Sequence, residues 1–483
     1  MKRFWLALLL LMPGLLGAQE MTLSTAVDKA LAANHDLLAK HKHIEFLQAG
    51  KKEARSHYFP RIDVAGSYTR LNEPIELDLS PLRTLLIGLQ TQNKLADIDL
   101  QMLMSRGFGL TGPETTAYSS QIAAALDSAI PSMDMHLLDQ DVWRASLEFV
   151  QPIWMGGKIA ALNKGADLHY QEGLEEFLID QETVREETCR IYFMAKLLEE
   201  VAAANRDAEA GIARHLRQAE SLYNSGLIAR SQLLRAKVAH SEARKNLANA
   251  EADLKTARSV LADLVKAGDP EALVLTTPLP FKPEAASRDQ VRSSLLAGSR
   301  TLKMLDIKRD LVGAKKRGDL AAYLPQIYAF GRYELYRGDL TFMDPDWAVG
   351  VGVKLNVFSS GEKLHKLAAD DALRLEVEEK KKDVEDLLNR AGDQLYYQAE
   401  SRKNTVDSFP ARQEEAEENL RLAESRFSSG LGISLEVVDA NLVLEKIRAE
   451  RAQAVYGYIV SWLKIHELSQ SLDGYIKDME GTR

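Results

Sequence analysis

Four stretches of the sequence alternate apolar and polar residues with a period of two, which is the pattern of strands that have one polar face. In the first stretch, Ile62, Val64 and Tyr68 fall on one face, while Asp63 and Thr69 fall on the other. The stretches cover residues 61–70, 143–153, 326 onward and 347–358. A long interruption separates the first two and a short turn separates the last two, so the sequence predicts two hairpins.

Between these strands, apolar residues recur at spacings of three, four and seven, which predicts helices. Residues 158–224 contain no proline and carry Phe177, Val184, Ile191 and Leu198 at seven-residue spacing. The predicted helices span residues 22–57, 158–224, 231–266, 287–322, 361–427 and 434–472. At about 1.5 Å per residue, each of the two long helices reaches about 100 Å, and two short helices end to end match that length. We therefore expect a cylinder of paired helices.

The two halves of the chain repeat one another. One constant offset carries Tyr58 onto Tyr323, and a second constant offset carries Gly226 onto Gly430. A repeat of this kind constrains the architecture of the whole chain, so it takes precedence over the assignment of single helices and strands. The resulting segments are a secretory signal at 1–18, a first repeat at 19–267 with an insertion at 71–141, a proline-rich linker at 268–286, a second repeat at 287–472 and a tail at 473–483.

The predicted signal has two basic residues, an apolar run and the small residues Gly17 and Ala18. The whole chain has a formal charge of −9, from 61 basic and 70 acidic residues, so a nucleic-acid partner is not expected. Beyond the signal, no apolar run reaches the roughly 18 residues that a membrane-spanning helix needs. Cys189, the sole cysteine, lies within a predicted helix and is expected to be a buried, unreactive thiol.

The strand pattern suits a membrane barrel, whose lipid face is apolar and whose lumen is wet. The alternative is a soluble sheet with one face on a hydrophobic core. The smallest membrane barrels have about eight strands, so the four strands of one chain cannot close a barrel. Several copies of the chain would each have to contribute four strands.

The most specific motifs are Gln151-Pro152-Ile153-Trp154 and two paired turns, YNSGLIARSQLL and FSSGLGISLEVVDA. With these motifs the chain resembles the TolC-like outer-membrane factors over essentially its whole mature length. The resemblance implies a mainly α protein with a β-barrel portion. In such a protein, a long coiled-coil helical barrel joins four strands per protomer of a homotrimeric, twelve-stranded transmembrane β-barrel.

By the same resemblance, the protein is a passive exit duct of a tripartite efflux pump in the outer membrane of a Gram-negative-type bacterium. Its implied partners are two further copies, a periplasmic adaptor, an inner-membrane transporter and outer-membrane lipid. No enzymatic activity, cofactor or metal is expected. Two alternatives stay open at this point, namely a component of type I protein secretion and a non-conducting periplasmic coiled-coil scaffold.

The resemblance also assigns candidate sites. The turns would be the periplasmic tips on which the adaptor docks, and their serines could cap helices. The docking residues are Ser225, Gly226, Leu227, Ser429, Gly430 and Leu431. Glu436 and Asp439, three apart on one helix face, would ring a narrow entrance and attract cations. Gln232, Phe427 and Gly432 depart from the family's usual aspartate, tyrosine and arginine, so packing or different bonds should hold the closed state.

The first hairpin carries about sixty residues that the second lacks, an estimate that rests on the two repeat offsets. This insertion should lie at the extracellular mouth, and its segments Pro81–Met104 and Thr115–Ala129 are predicted to be helical. Leu82, Leu85, Leu86 and Leu89 form an apolar stripe on the first segment. The insertion also contains Met102, Met104, Met133, Met135 and His136. Thioether groups suit Cu(I), but packing methionines are the favoured interpretation.

Overall fold

A computed structural model of the chain describes residues 19–341 and 343–481, so the predicted signal at 1–18 lies outside the described residues. The helices are α1 (Leu23–Ala33), α2 (His35–Ser56), α3 (Ser80–Arg106), α4 (Gly112–Ala129), α5 (Lys158–Asn224), α6 (Arg230–Leu264), α7 (Arg288–Gly298), α8 (Arg300–Ala321), α9 (Glu362–Asp407), α10 (Phe409–Ser428), α11 (Ser434–Leu468) and α12 (Leu472–Gly481). The strands are β1 (Gln19–Met21), β2 (Arg61–Arg70), β3 (Ile75–Leu77), β4 (Met135–Leu138), β5 (Asp141–Trp154), β6 (Leu273–Leu275), β7 (Gln326–Tyr336) and β8 (Trp347–Lys354).

The chain divides into two compact units. The helical unit comprises the described residues of Met1–Ala54, Ala161–Arg317 and Leu364–Arg483. The strand unit comprises Arg55–Ala160 and Gly318–Lys363. Each unit draws on both sequence repeats, which agrees with a duplicated building block.

The strand unit contains a four-stranded antiparallel sheet in the order β2-β5-β7-β8. Its register sets Tyr68 opposite Trp143, and their ring centroids lie 4.7 Å apart. The apolar face of the sheet is open: Val64 is 72% exposed and Val349 is 73% exposed. Within the described residues, β2 and β8 each pair on one side only, so the sheet has two free edges.

The core of the helical unit is built from large apolar side chains of α5, α10 and α11. Tyr192, Phe193 and Phe409 are almost completely buried there, together with Trp462 and Leu463. Cys189 belongs to the same cluster, and burial raises the pKa of its thiol far above the ordinary value. The sequence prediction of a buried, unreactive cysteine is confirmed.

Two helices that the sequence predicts as continuous are broken by a capping side chain. Asn34 separates α1 from α2, and its side-chain oxygen accepts the Leu37 N–H at 3.0 Å. Ser299 separates α7 from α8, and its hydroxyl accepts the Leu302 N–H at 3.3 Å. Both side chains satisfy amides that begin a new helix, which explains the interruption.

The long helix predicted over 361–427 is also wrong as a single element, because the chain forms α9 and α10 instead. The break falls at Ser408, directly before Phe409 and Pro410. Proline lacks a backbone N–H and clashes with the preceding turn, but it is tolerated in the first turn of a helix. Phe409 is 1% exposed, so the core fixes the restart of the helix at this position.

The segments assigned as linker and tail also have regular structure. Within 268–286, β6 pairs in parallel with β1, in the register Glu20 opposite Val274. The tail begins with α12, which buries Tyr475 and Ile476. Its Glu480 carboxylate accepts the backbone N–H of Ser24 at 2.8 Å. The two ends of the described chain are therefore tied together within the helical unit.

The insertion forms the helices that the sequence predicts. α3 and α4 pack as a hairpin, and β3 pairs with β4 at its base. Arg83 bonds to Asp127 at 2.7 Å and Arg106 to Glu114 at 2.9 Å, so an ion pair lies near each end of the hairpin. Among all the described helices, none is both long and apolar enough to cross a membrane.

Candidate functional site

The turn between α5 and α6 and the turn between α10 and α11 share one backbone geometry. Gly226 and Gly430 both have φ +73°, a left-handed conformation that favours glycine. Leu227 N–H donates to the Leu222 carbonyl at 2.9 Å, and Leu431 N–H donates to the Arg426 carbonyl at 2.9 Å. Each bond closes the last turn of a helix as in a Schellman motif. The repeat in the sequence is therefore a repeat in the turn geometry.

Alanine at Gly226 or Gly430 is expected to destabilise the protein by about 1–2 kcal/mol, the cost of a left-handed L-residue. An added Cβ at either position meets no atom within 4 Å, so the effect comes from the backbone alone. Gly474→Ala in α12 is the matched control, because it also has open space but no positive φ. Thermal unfolding midpoints should fall for the two turn variants and rise slightly for the control. A rise for all three would contradict this account of the turns.

The sequence predicts that the turn serines can cap helices, and Ser225 and Ser429 do so at the carboxyl ends of α5 and α10. The hydroxyls of Ser225 and Ser429 donate to backbone carbonyls four residues earlier, at 3.0 and 2.9 Å. Ala229 and Ile433 occupy the N-cap positions of α6 and α11 and make no side-chain cap bond. The two serines thus satisfy the ends of the preceding helices instead.

Both turns present an exposed leucine. Leu227 is 71% exposed and Leu431 is 77% exposed, and Ile433 beside the second turn is 47% exposed. A leucine at the end of a helical hairpin is left largely in solvent, because its own chain offers little apolar surface to bury it. Such a side chain is available to an apolar surface of a partner.

Beneath the turns lies a small apolar core that joins α5, α6, α10 and α11. Phe427 is 1% exposed and belongs to this cluster with Leu233, Ala236 and Val437. A Cβ added at Gly432 would lie 3.0 Å from the Phe427 backbone nitrogen, so the turn passes close to the backbone at the end of α10. Packing thus buries Phe427 beneath the turn, and the part that positions 427 and 432 play in a closed state stays a prediction.

His215 on α5 is a functional candidate that the sequence reasoning missed. It is 3% exposed, and its Nε2 lies 2.7 Å from the hydroxyl of Ser434. Its ring meets the Phe427 ring edge-on, with centroids 4.5 Å apart. A signal was present in the sequence, because His215 falls on the apolar face of α5 between Ile212 and Ala219.

The protonation of His215 is strongly disfavoured. Burial lowers the pKa of its imidazole from 6.5 to about 4, and burial is the cause of the shift. Its Nδ1 is buried and has no hydrogen-bond partner in the described part of the chain. A neutral ring therefore joins α5 to α11 through Ser434 and to α10 through Phe427.

The predicted gate residues lie in the same part of the helical unit. Glu436 and Asp439 share one face of α11, and a guanidinium nitrogen of Arg426 lies 3.8 Å from the Glu436 carboxylate. Asp439 is exposed and makes no ion pair with any described residue. Gln232 is half-buried, and its side-chain oxygen has no hydrogen-bond partner among the described residues. The structure brings His215 to Phe427 and to Ser434, and Arg426 towards Glu436.

The chain thus combines helical hairpins that end in exposed glycine turns with strands that have an exposed apolar face. The chain matches the family described as outer membrane efflux protein over residues 110–265 and 291–469. These segments cover more than half of the sequence, so the chain belongs to the outer membrane efflux protein family. A comparison with curated proteins found no match.

Solved structures share the fold at low sequence identity. The outer-membrane channel OprN is 14% identical, with a TM-score of 0.69 over 93% of this chain and 90% of that chain. The outer membrane protein VceC from Vibrio cholerae is 15% identical, with a TM-score of 0.66 over 92% and 96%. The open state of the Neisseria gonorrhoeae MtrE outer membrane channel is 16% identical, with a TM-score of 0.63 over 93% and 89%.

These findings confirm the fold class and the family expected from the sequence. The protein is an outer-membrane efflux channel and serves as an exit duct of tripartite efflux pumps. Its family is one of channels and not of enzymes.

Proposed function

We propose that this protein works as a homotrimer that receives small molecules from an inner-membrane transporter through a periplasmic adaptor. The two free edges of the four-stranded sheet support the trimer, because β8 of one copy could pair with β2 of the next. Three copies would then supply twelve strands and leave no edge unpaired. Closed rotational symmetry of this kind repeats each tip three times around the entrance.

The observation that carries the adaptor proposal is the pair of turns with matching geometry and exposed leucines. Gly226 and Gly430 give the same left-handed turn, and each is followed by a leucine that is more than two-thirds exposed. A trimer would present six such tips. An adaptor that docks on all six turns needs this repetition, since each contact must be nearly equivalent.

Serine at both Leu227 and Leu431 is expected to weaken adaptor binding by at least about ten-fold. Burial of one leucine contributes roughly 1.5–3 kcal/mol, and about 1.4 kcal/mol corresponds to a factor of ten. Binding of the purified trimer to the adaptor from the same organism is measured by surface plasmon resonance. Val260→Ser is the matched control, because Val260 is 50% exposed on α6 but lies far along the helix from the turn.

The docking proposal fails if the double serine variant binds the adaptor as tightly as the wild type does. The duct itself is tested separately, by single-channel conductance of the purified trimer in a planar bilayer. Correctly assembled, inserted trimers that pass no ions would contradict the duct and favour a non-conducting scaffold. Steps of conductance from a variant that no longer binds the adaptor would keep the duct and remove only the docking site.

A further inference from the structure

Helix α3 of the insertion is apolar on two opposite faces. One face carries Ile87, Thr91, Leu95, Ile98 and Met102, which are half-buried or buried against the hairpin partner α4. The other face projects away from these residues and is exposed. A helix that packs on a single neighbour needs only one apolar stripe. The second stripe therefore lacks a partner within the described chain.

The exposed stripe has the spacing of a helix-packing seam. Leu82, Leu89, Ala96 and Leu103 recur at seven-residue intervals, as residues at one core position of a coiled coil do. Leu85 lies three residues after Leu82, at the spacing of the second core position. The leucines of this stripe are 48–59% exposed. Apolar side chains at seven-residue spacing can stay in contact with a second helix along its whole length. Contact with a flat or irregular surface does not require this spacing.

The charges around the stripe favour a protein partner over a lipid surface. Helices that lie on membranes carry lysine and arginine on the polar face, where they meet acidic headgroups. Here both arginines of α3 are engaged within the hairpin, Arg83 with Asp127 and Arg106 with Glu114. Lys94 is the one remaining basic residue of the described helix α3. The exposed apolar stripe of α3 is therefore not flanked by the basic residues that would bind acidic headgroups.

The connectivity indicates which protein is the partner. α3 follows β2 through the short strand β3, and β2 is an edge strand whose free side meets another copy in the proposed trimer. The short β3–β4 ladder and the α3–α4 contact hold the hairpin to the same strand unit. The insertion leaves the sheet between Arg70 and Asp141, so copies that join along the edge of β2 would each carry an α3–α4 hairpin at the same end of the joined sheet. The contact between stripes would extend the interface that the strands begin.

Accepting the trimer of the proposed function, we propose that the Leu82–Leu103 stripe of α3 packs against the same stripe in the neighbouring copies. Three hairpins would then form a helical cap over the extracellular mouth. The cap would narrow the exit independently of the entrance at Glu436 and Asp439. Insertions of this length at a loop are expected to carry a function of their own.

The test places single cysteines on α3 and measures disulfide formation between copies in isolated outer membranes. Leu89→Cys lies in the stripe, and Gln90→Cys is its matched control, because it is exposed at the same height but about 100° around the helix. The native Cys189 is buried and does not interfere. Leu103→Cys gives a second stripe position in case the first variant fails to insert.

The expected result is a covalent dimer band for Leu89→Cys or Leu103→Cys under oxidising conditions, and none for Gln90→Cys. Since each trimer offers three cysteines, at most two of the three chains can pair. Oxidation should also lower the single-channel conductance of Leu89→Cys, and reduction should restore it. Trimer assembly is followed in parallel by the mass of the purified, detergent-solubilised complex.

Four results would overturn the inference. Intact, conducting trimers without any stripe-specific dimer would disprove the cap and leave the duct in place. Equal dimer formation at Leu89 and Gln90 would indicate random collision of mobile hairpins. Labelling of Leu89→Cys by a lipid-soluble maleimide without dimer formation would place the stripe in the membrane. Absence of trimers altogether would contradict the proposed function as well as the cap.

Discussion

Replacement of Glu436 by glutamine and Asp439 by asparagine is expected to abolish the cation preference of the channel. Both residues lie on one face of α11 beside the second glycine turn, so a trimer would carry six carboxylates around the entrance. Two unit charges about 4 Å apart interact by about 1 kcal/mol even in water, which corresponds to about five-fold in relative ion occupancy. Six charges around one narrow aperture act together, so their loss should remove most of the selectivity.

The measurement is the reversal potential across a planar bilayer under a salt gradient, for the wild type and the double amide variant. The matched control is Glu379→Gln/Asp383→Asn, which removes the same charge from exposed positions on α9. The control should keep the cation preference. An unchanged reversal potential in the Glu436/Asp439 variant would show that these carboxylates do not line the conducting path.

The parts of the fold that the sequence predicts well are those set by local patterns. Strand β2 begins and ends where the alternation does, and α5 spans the whole proline-free stretch from Lys158 to Asn224. Gly226 and Gly430 were found because a left-handed turn has few alternatives to glycine. Periodicity and turn chemistry act within a few residues, so they are visible without tertiary contacts.

The sequence predictions are wrong where a single side chain ends a helix that the apolar pattern would continue. Asn34 and Ser299 interrupt helices through single capping bonds, which periodicity over a long window does not register. Pro410 is a visible signal for the break between α9 and α10, but the prediction of one long helix follows the internal repeat, whose first copy, α5, contains no proline.

The candidate site was predictable only in part. The leucines and glycines of the turns come from neighbouring positions in the sequence, and the repeat points to them directly. The contact of His215 with Ser434 joins residues 219 positions apart, and it depends on how α5 packs against α11. A histidine in an apolar stripe shows that the ring is buried, but not which hydroxyl it meets.

Acidification is expected to open the resting channel through His215. The pKa of its imidazole is about 4 in the folded protein, below the ordinary 6.5, because burial disfavours the charged form. The neutral ring thus stabilises the packed tip above pH 6.5, and this contribution is lost as the pH falls from 6.5 towards 4. The difference between the two pKa values corresponds to on the order of 3 kcal/mol. A charged ring between Phe427 and Ser434 should loosen the core beneath the turns.

The measurement is the resting single-channel conductance of the wild type and His215→Gln between pH 7 and 4. Glutamine keeps a polar partner for Ser434 but does not titrate, so the acid-induced rise should disappear while the carboxylates at 436 and 439 stay the same. His466→Gln is the control, because burial also lowers the pKa of His466 to about 4 but its Nδ1 contacts Ser471 beyond the end of α11. An equal rise in all three proteins would mean that His215 does not couple pH to the entrance. A rise that vanishes only in His215→Gln would instead identify the buried imidazole as the group whose protonation releases the closed tip.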